Sequence, residues 1–337
     1  MNNIPGTKGL SKKEIVDTLL REEYGYLPSR PTSVSATVIE RDERFVAGKA
    51  VMTKISLNCK ADFGEFSFPV YCVCPKSANP SPAFIHINFR DLVPDVYQPI
   101  EEIVDLGYGV LTVCYEDVST DDGDFTNGLA GVVYPDGKRG DTDCGKIGLW
   151  AWAVMAVMDY AVTLPEIDAS RISVVGHSRL GKTALLAGAL DERFYCAFSN
   201  DSGCCGASLS RNNTGENIHQ IYKTFPFWFI PGFEKYAHNE DALPFDQHWL
   251  IAANVPHKVY VASAKEDSWA CPENEYAACV LASEYYEDVG LVGFVRESDT
   301  LTDGALCHAG NIGYHIREGI HYLSRRDWQL YIKYLNF

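Results

Sequence analysis

The chain has 337 residues, 46% of them hydrophobic and 22% charged, which describes a folded protein with a substantial core and not a disordered chain. Its formal net charge is −16. Phosphate binding needs clustered Lys and Arg, so this balance argues against a nucleic-acid partner and disfavours an anionic membrane surface.

Eleven cysteines, irregularly spaced and without a C-x-x-C pair, speak against a zinc site and against a full disulfide framework. The expectation is reduced, mostly buried thiols in a reducing, cytoplasmic setting. The opening stretch, MNNIPGTKGLSKKEIVDTLL, has no apolar run of a secretory signal, and no segment is long enough to span a bilayer. Ser11 is the predicted N-cap of an amphipathic helix reaching about Glu23, with Ile15, Leu19 and Leu20 on its apolar side. Ser35 to Lys60 and Glu65 to Pro75 alternate apolar and polar residues, which predicts antiparallel strands at a sheet edge. Pro82 to Phe89 and Gly109 to Tyr115 are more continuously apolar and read as central strands, with a helix over Ile100 to Leu106 between them. Strands and helices alternate from there onward, so the sheet is expected to be mostly parallel and covered on both faces.

Residues 117–146, rich in Gly, Asp and Thr, predict a surface loop near the ligand end of the sheet. Ile147 to Leu164 reads as a buried core helix. Arg171 to Val175 is a short buried strand, Gly176 breaks it, and Thr183 to Leu190 resumes as helix. Further strands are expected at Tyr195 to Ser199, Lys258 to Ser263 and Ile312 to Ile316, with a last helix over Trp328 to Leu335. No internal repeat and no Pro/Gly/Ser-rich linker interrupts the chain, so it reads as one domain over 1–337. Residues 1–80 form an N-terminal helix and edge strands, and 80–337 form the core.

The strand–turn–helix at RISVVGHSRLGKTALLAGAL is the setting of a nucleophile elbow, with Ser178 at the tip of the turn. The G-x-S-x-G pattern is imperfect, because Leu180 stands where the second glycine belongs and Gly181 follows it. A serine nucleophile needs a base, and an acid that orients the base. Among nine histidines, His321 is the best placed, past the last strand and before the final helix. His315, inside that strand, reads as a core histidine, and His308 is an outside candidate. For the acid, Asp267 lies beyond the strand at 258–263 and Asp201 one strand earlier, both at carboxyl ends. Glu266 is expected to face away. Sequence alone leaves Asp267 and Asp201 open.

GHSRLGKTALLAGALDERF, then SNDSGCCGASLSR, NTGE, EDALPFDQHWLIA, YVASAKEDSWACP and GYHIREGIH, resemble bacterial glucuronoyl esterases of carbohydrate esterase family fifteen, over residues 80–335. The resemblance implies an α/β-hydrolase, a three-layer α/β/α sandwich whose mostly parallel sheet has antiparallel N-terminal edge strands. It implies hydrolysis of esters of (4-O-methyl-)glucuronic acid through an acyl-enzyme, as in xylan degradation, with no cofactor and no metal. The implied partner is a small-molecule or oligosaccharide uronate ester. On this resemblance Ser178 is the nucleophile, His321 the general base, and Asp267 or Asp201 or both the acid. Arg179 would hold the oxyanion, and Lys182, Glu216 and Trp269 would contact the sugar. His248, in DQHW, reads as structural or supporting. Some family members carry a cysteine before the serine bridged to one after the histidine; here those positions are His177 and Tyr322. Two other readings use the same residues: a deacetylase acting on sugar acetates such as acetyl-xylan, and a sugar-binding pseudo-enzyme without turnover.

Overall fold

The computed structural model describes residues 4–337. Residues 1–3, the head of the opening stretch that lacks the apolar run of a secretory signal, lie outside the described residues.

Helix α1 (Lys12–Leu19) begins at Ser11, whose hydroxyl accepts from the Glu14 N–H while the Glu14 carboxylate accepts from the Ser11 N–H. This reciprocal cap satisfies two otherwise orphaned donors. A π-helical turn (Leu20–Tyr24) extends the helix close to the expected end. Three antiparallel strands follow, β1 (Ser33–Phe45), β2 (Ala50–Ala61) and β3 (Gly64–Pro75). The expected alternation of burial does not materialise on β1, which is exposed along nearly its whole length. Its neighbours β2 and β3 do bury alternate residues, Ile55, Leu57 and Cys59 on one and Phe68, Val70 and Cys72 on the other, which join the core.

The chain then alternates through β4 (Ser81–Asn88), α2 (Ile100–Asp105), β5 (Gly109–Cys114), α3 (Tyr115–Val118), α4 (Gly128–Val133) and α5 (Lys146–Ala161). It continues with β6 (Ile167–His177), α6 (Arg179–Leu190), β7 (Cys196–Asn200), α7 (Ile218–Thr224), α8 (His248–Ala252), β8 (Lys258–Ala264) and α9 (Pro272–Asp288). Strands β9 (Leu306–Cys307) and β10 (Ile312–Arg317) precede the final helix α10 (Arg325–Leu335). The ten strands among the described residues form one sheet, in the order β1-β2-β3-β5-β4-β6-β7-β8-β10-β9. From β5 to β10 neighbours run parallel, whereas β1, β2, β3 and β9 are antiparallel additions at the two edges.

The sheet is covered on both faces. On β4, Ala83, Ile85 and Ile87 join one core with α1, α5, α6 and α9, while Phe84 joins the other with α2 and α10. Period-2 side-chain direction thus converts a continuously apolar strand into two separate cores. Helix α5 is buried almost all round, in line with its unbroken apolar sequence. No helix among the described residues is long and apolar enough to cross a membrane. All eleven cysteines are free thiols, and all but Cys74 are buried.

Two further expectations are corrected. Residues 117–146 are not simply a surface loop, since the segment includes α4 and buries Val118, Leu129, Ala130 and Cys144. Strand β6 runs through Gly176 to His177, and α6 starts at Arg179 instead of Thr183, so the turn holds a single residue. Helix α9 has no counterpart in the sequence reading, because its tyrosines and buried Glu275 blur the apolar stripe.

Trp150 anchors the corrected segment: its indole donates to the Ser119 carbonyl at 3.0 Å, and its ring meets Tyr115 at 4.9 Å. Truncating a buried Trp costs about 3–5 kcal/mol. Trp150→Ala is therefore expected to lower stability by about that amount in chemical denaturation, with residues 115–121 becoming the most readily proteolysed.

Candidate active site

The crevice beyond the carboxyl ends of parallel strands is where α/β sheets place their ligands, and the candidate residues gather there. Ser178 follows β6, Asp201 follows β7, Asp267 lies just past β8 and His321 just past β10. Ser178, Arg179, Lys182, Asp201, Glu216, Asp267, Trp269 and His321 all line one cleft of about 410 Å³. Apart from the outside candidate His308, the residues drawn from sequence for the triad, the oxyanion and the sugar are all in it.

Ser178 has φ +59°, in the left-handed region that a non-glycine residue occupies only under constraint. The constraint is packing: a Cβ on Gly176 would overlap the Leu180 carbonyl, so the strand and the helix approach as closely as glycine permits. The Ser178 N–H donates to the Asn200 carbonyl at 2.8 Å, tying the turn to β7. The hydroxyl itself makes no hydrogen bond among the described residues and remains half-buried at the cleft floor.

His321 Nδ1 and Asp267 Oδ2 are 2.5 Å apart, which makes Nδ1–H the donor and leaves Nε2 as the free ring nitrogen. Burial pushes the Asp267 carboxyl up, but the hydrogen bond and charge of His321 outweigh it and hold the group below its ordinary value. Asp201 has different partners. It accepts from the Ala264 N–H at 2.7 Å and, more distantly, from Tyr322 N–H and Arg317 at 3.5 Å. Burial, with Glu275 nearby, pushes its carboxyl well up. Asp201 lies within 4.8 Å of both His321 and Asp267 but does not bond the imidazole. Glu266 is exposed.

Arg179 heads α6, where a cation opposes the helix dipole. It is held there by Asp121, which pairs with its guanidinium while accepting from the Trp228 indole at 2.6 Å and the Tyr115 hydroxyl at 3.1 Å. The guanidinium carbon lies 4.7 Å from the Trp228 ring and 5.0 Å from Phe225. Its Nε is buried and has no hydrogen-bond partner among the described residues. The sequence reading missed Asp121, Trp228 and Phe225, and the one available signal was the placement of the Asp-rich segment at the ligand end.

Lys182 is not a solvated helix lysine. It is buried, and its ammonium donates to the Ser202 and Cys204 carbonyls, the latter at 2.6 Å. Burial pushes the Glu216 carboxyl up, and its N–H donates to the Trp269 carbonyl at 2.9 Å. Trp269 is 53% exposed at the rim, as a stacking platform requires. His315 is a core histidine, bonded to Asp327 at 2.8 Å and to the Tyr260 hydroxyl at 3.0 Å, and His308 bonds the same hydroxyl at 2.8 Å. Neither they nor His248, which is buried, line the cleft. His177 packs on His321 with centroids 4.3 Å apart, and burial, with His321 beside it, pushes its pKa down to about 3. Tyr97 stacks between His177 at 5.4 Å and Tyr322 at 4.9 Å. An aromatic contact thus joins the two positions that carry cysteines in some family members.

The family profile described as glucuronyl esterase, fungi, matches residues 57–290. This chain belongs to the glucuronoyl esterase family. The family's members are carboxylic-ester hydrolases. A carbohydrate esterase from an unknown prokaryotic organism is 40% identical over 240 residues, covering 70% of this chain and 54% of that protein. A Podospora anserina 4-O-methyl-glucuronoyl methylesterase is 29% identical over 298 residues, 83% of this chain and 56% of that one. The chain therefore spans little more than half the length of these two curated relatives. Among solved structures, a promiscuous CE15 esterase from a marine bacterial metagenome superposes with a TM-score of 0.87 at 30% identity, covering 98% of this chain and 91% of that one. A glucuronoyl esterase from Solibacter usitatus superposes with a TM-score of 0.86 at 28% identity, covering 98% and 92%. The fold is accordingly that of the CE15 α/β-hydrolases.

Beneath the cleft, Glu275 accepts from the Gly203 N–H at 2.9 Å and the Ser263 hydroxyl at 2.6 Å, and burial pushes its carboxyl up to about 7 from an ordinary 4.5. The folded state thus retains a proton that the unfolded chain releases, so the contribution of Glu275 to stability is fullest below about 4.5 and is lost as pH rises to about 7. Glu275→Gln cannot ionise. Its melting temperature relative to the parent protein is expected to be constant below that window, to climb across it, and to level off above, as thermal melts at stepped pH will register.

Proposed function

We propose that this chain hydrolyses esters formed on the carboxyl group of glucuronic acid, by a serine acyl-enzyme route. The observation that carries the reading is the convergence in one cleft of a positive-φ serine, a histidine bonded to a buried carboxylate, and an arginine with an unpartnered buried Nε. The names of the curated relatives, 4-O-methyl-glucuronoyl methylesterases, support the choice of acyl group.

In the proposed route His321 Nε2 takes the proton of Ser178 as Oγ attacks the ester carbonyl carbon. The resulting oxyanion faces the Arg179 guanidinium and the N–H groups of the α6 N-terminus, charge-assisted donors that need no reorganisation. Asp267, already ionised, stabilises the imidazolium. Collapse breaks the bond to the alcohol oxygen, which leaves with the proton from Nε2. Water then gives a proton to Nε2 and attacks the uronoyl-serine, releasing glucuronate and restoring the hydroxyl. Lys182, with two of its three N–H donors occupied by carbonyls, has one left for a sugar hydroxyl. Glu216 accepts from another hydroxyl, and Trp269 offers a face to the pyranose.

Ser178→Ala is expected to reduce turnover of methyl or benzyl glucuronate by roughly 10⁴-fold or more with unchanged melting; intact turnover would refute the mechanism. Nitrophenyl acetate serves as the comparison, and a preference for it would reverse the assigned polarity of substrate. Asp121→Ala frees the Arg179 guanidinium from its anchor, and its kcat is expected to fall about 10²-fold, the scale of losing one oxyanion donor. Asp121→Asn, whose amide oxygen still accepts from Trp228, is expected to retain part of that loss.

A further inference from the structure

His321 stands on residues 318–322, which have no regular secondary structure. Backbone carbonyls in such a loop have no ladder partner and must be satisfied another way. One side chain does most of this. Arg317, the last residue of β10, donates through Nη1 to the Glu318 carbonyl at 3.1 Å and the Ile320 carbonyl at 3.2 Å, and through Nη2 to the Tyr322 carbonyl. Those three carbonyls bracket His321 on both sides.

The guanidinium is fixed in turn. Its Nε donates to both oxygens of Asp327, at 3.0 and 2.9 Å, and Nη2 faces Asp201 at 3.5 Å. Asp327 is fully buried and closes the capping box of α10 with Ser324, whose N–H and hydroxyl each lie 2.6 Å from Oδ2. Its other oxygen meets His315 Nε2 at 2.8 Å, so the anchor joins β10 to α10. A planar fork with five donors can serve three carbonyls and a carboxylate at once, whereas an ammonium cannot reproduce that geometry.

We infer that Arg317 is the positioning residue of the base. It does not line the cleft, yet it sets the loop so that His321 Nδ1 meets Asp267 Oδ2. The inference rests on the proposed esterase reading, in which His321 is the base. Arg317 supplies no group to the substrate; its removal lets the imidazole drift, and a misplacement on the order of 1 Å costs about 10²-fold in rate.

The test uses the full chain with Arg317→Ala and Arg317→Lys. Both variants are expected to lose about 10²-fold in kcat on benzyl glucuronate with KM nearly unchanged. Both should also lose the downfield proton NMR signal of the short His321–Asp267 bond and label more slowly at Ser178 with a fluorophosphonate. Added guanidinium is expected to recover part of the rate in Arg317→Ala. Where that variant fails to fold, Arg317→Lys decides, since it keeps a cation between Asp201 and Asp327 but not the fork. Parental kcat or a retained downfield signal in Arg317→Lys would overturn the inference. If the parent protein does not turn over glucuronate esters, the substrate reading fails, while the NMR signal and the labelling rate still judge Arg317.

Discussion

The closeness of β6 to α6 is the constraint from which the rest of the site follows. With no side chain at Gly176, the first turn of α6 packs directly against the strand, and the single residue between them is forced to φ +59°. Such a conformation costs on the order of 1–3 kcal/mol and persists only when surrounding packing over-determines it. Here it is over-determined by the burial of Leu180 and Ala184 on one side and by the bond from Ser178 N–H to Asn200 on the other. The same tightness leaves the N–H groups at the head of α6 beside the serine hydroxyl, so one steric fact fixes both the proposed nucleophile and the donors facing its carbonyl.

Around that rigid turn, charge is arranged in pairs that leave one end free. Asp121 holds Arg179 but leaves Nε unpartnered, and Asp267 holds His321 but leaves Nε2 unbonded. In each case a buried carboxylate fixes the rotamer of a longer cationic or ionisable side chain. Beneath them lie further carboxyls, Asp201 and Glu275, which burial drives toward the protonated form. Desolvation and the repulsion between neighbouring carboxylates push these groups in the same direction.

How much of this was legible in the sequence depends on how local each feature is. The elbow was readable because a β-branched run, a glycine and an Ala/Leu helix are consecutive. His321 and Asp267 were readable through chain order, and the sequence left Asp201 as a rival because both acids follow strands. What separates them, the bond that His321 Nδ1 donates to Asp267, is a matter of a few ångströms that no spacing encodes. Asp121 lay in a segment whose composition resembled loop, and Trp228 and Phe225 lie in an aperiodic stretch. Their convergence on Arg179 joins residues more than forty positions apart on either side. Strand β1 shows the opposite failure. Its pattern suggested a half-buried face, but as the outermost strand it is exposed along nearly its whole length.

The contact among His177, Tyr97 and Tyr322 bears on durability. Where some family members join the serine turn to the histidine loop through cysteines, this chain uses three rings in van der Waals contact. Such a join has no reduction potential, so neither a thiol reductant nor a shift in the surrounding glutathione poise can open it. Its strength follows heat and packing instead, and the geometry of the proposed site is insulated from redox conditions that would unfasten a covalent bridge.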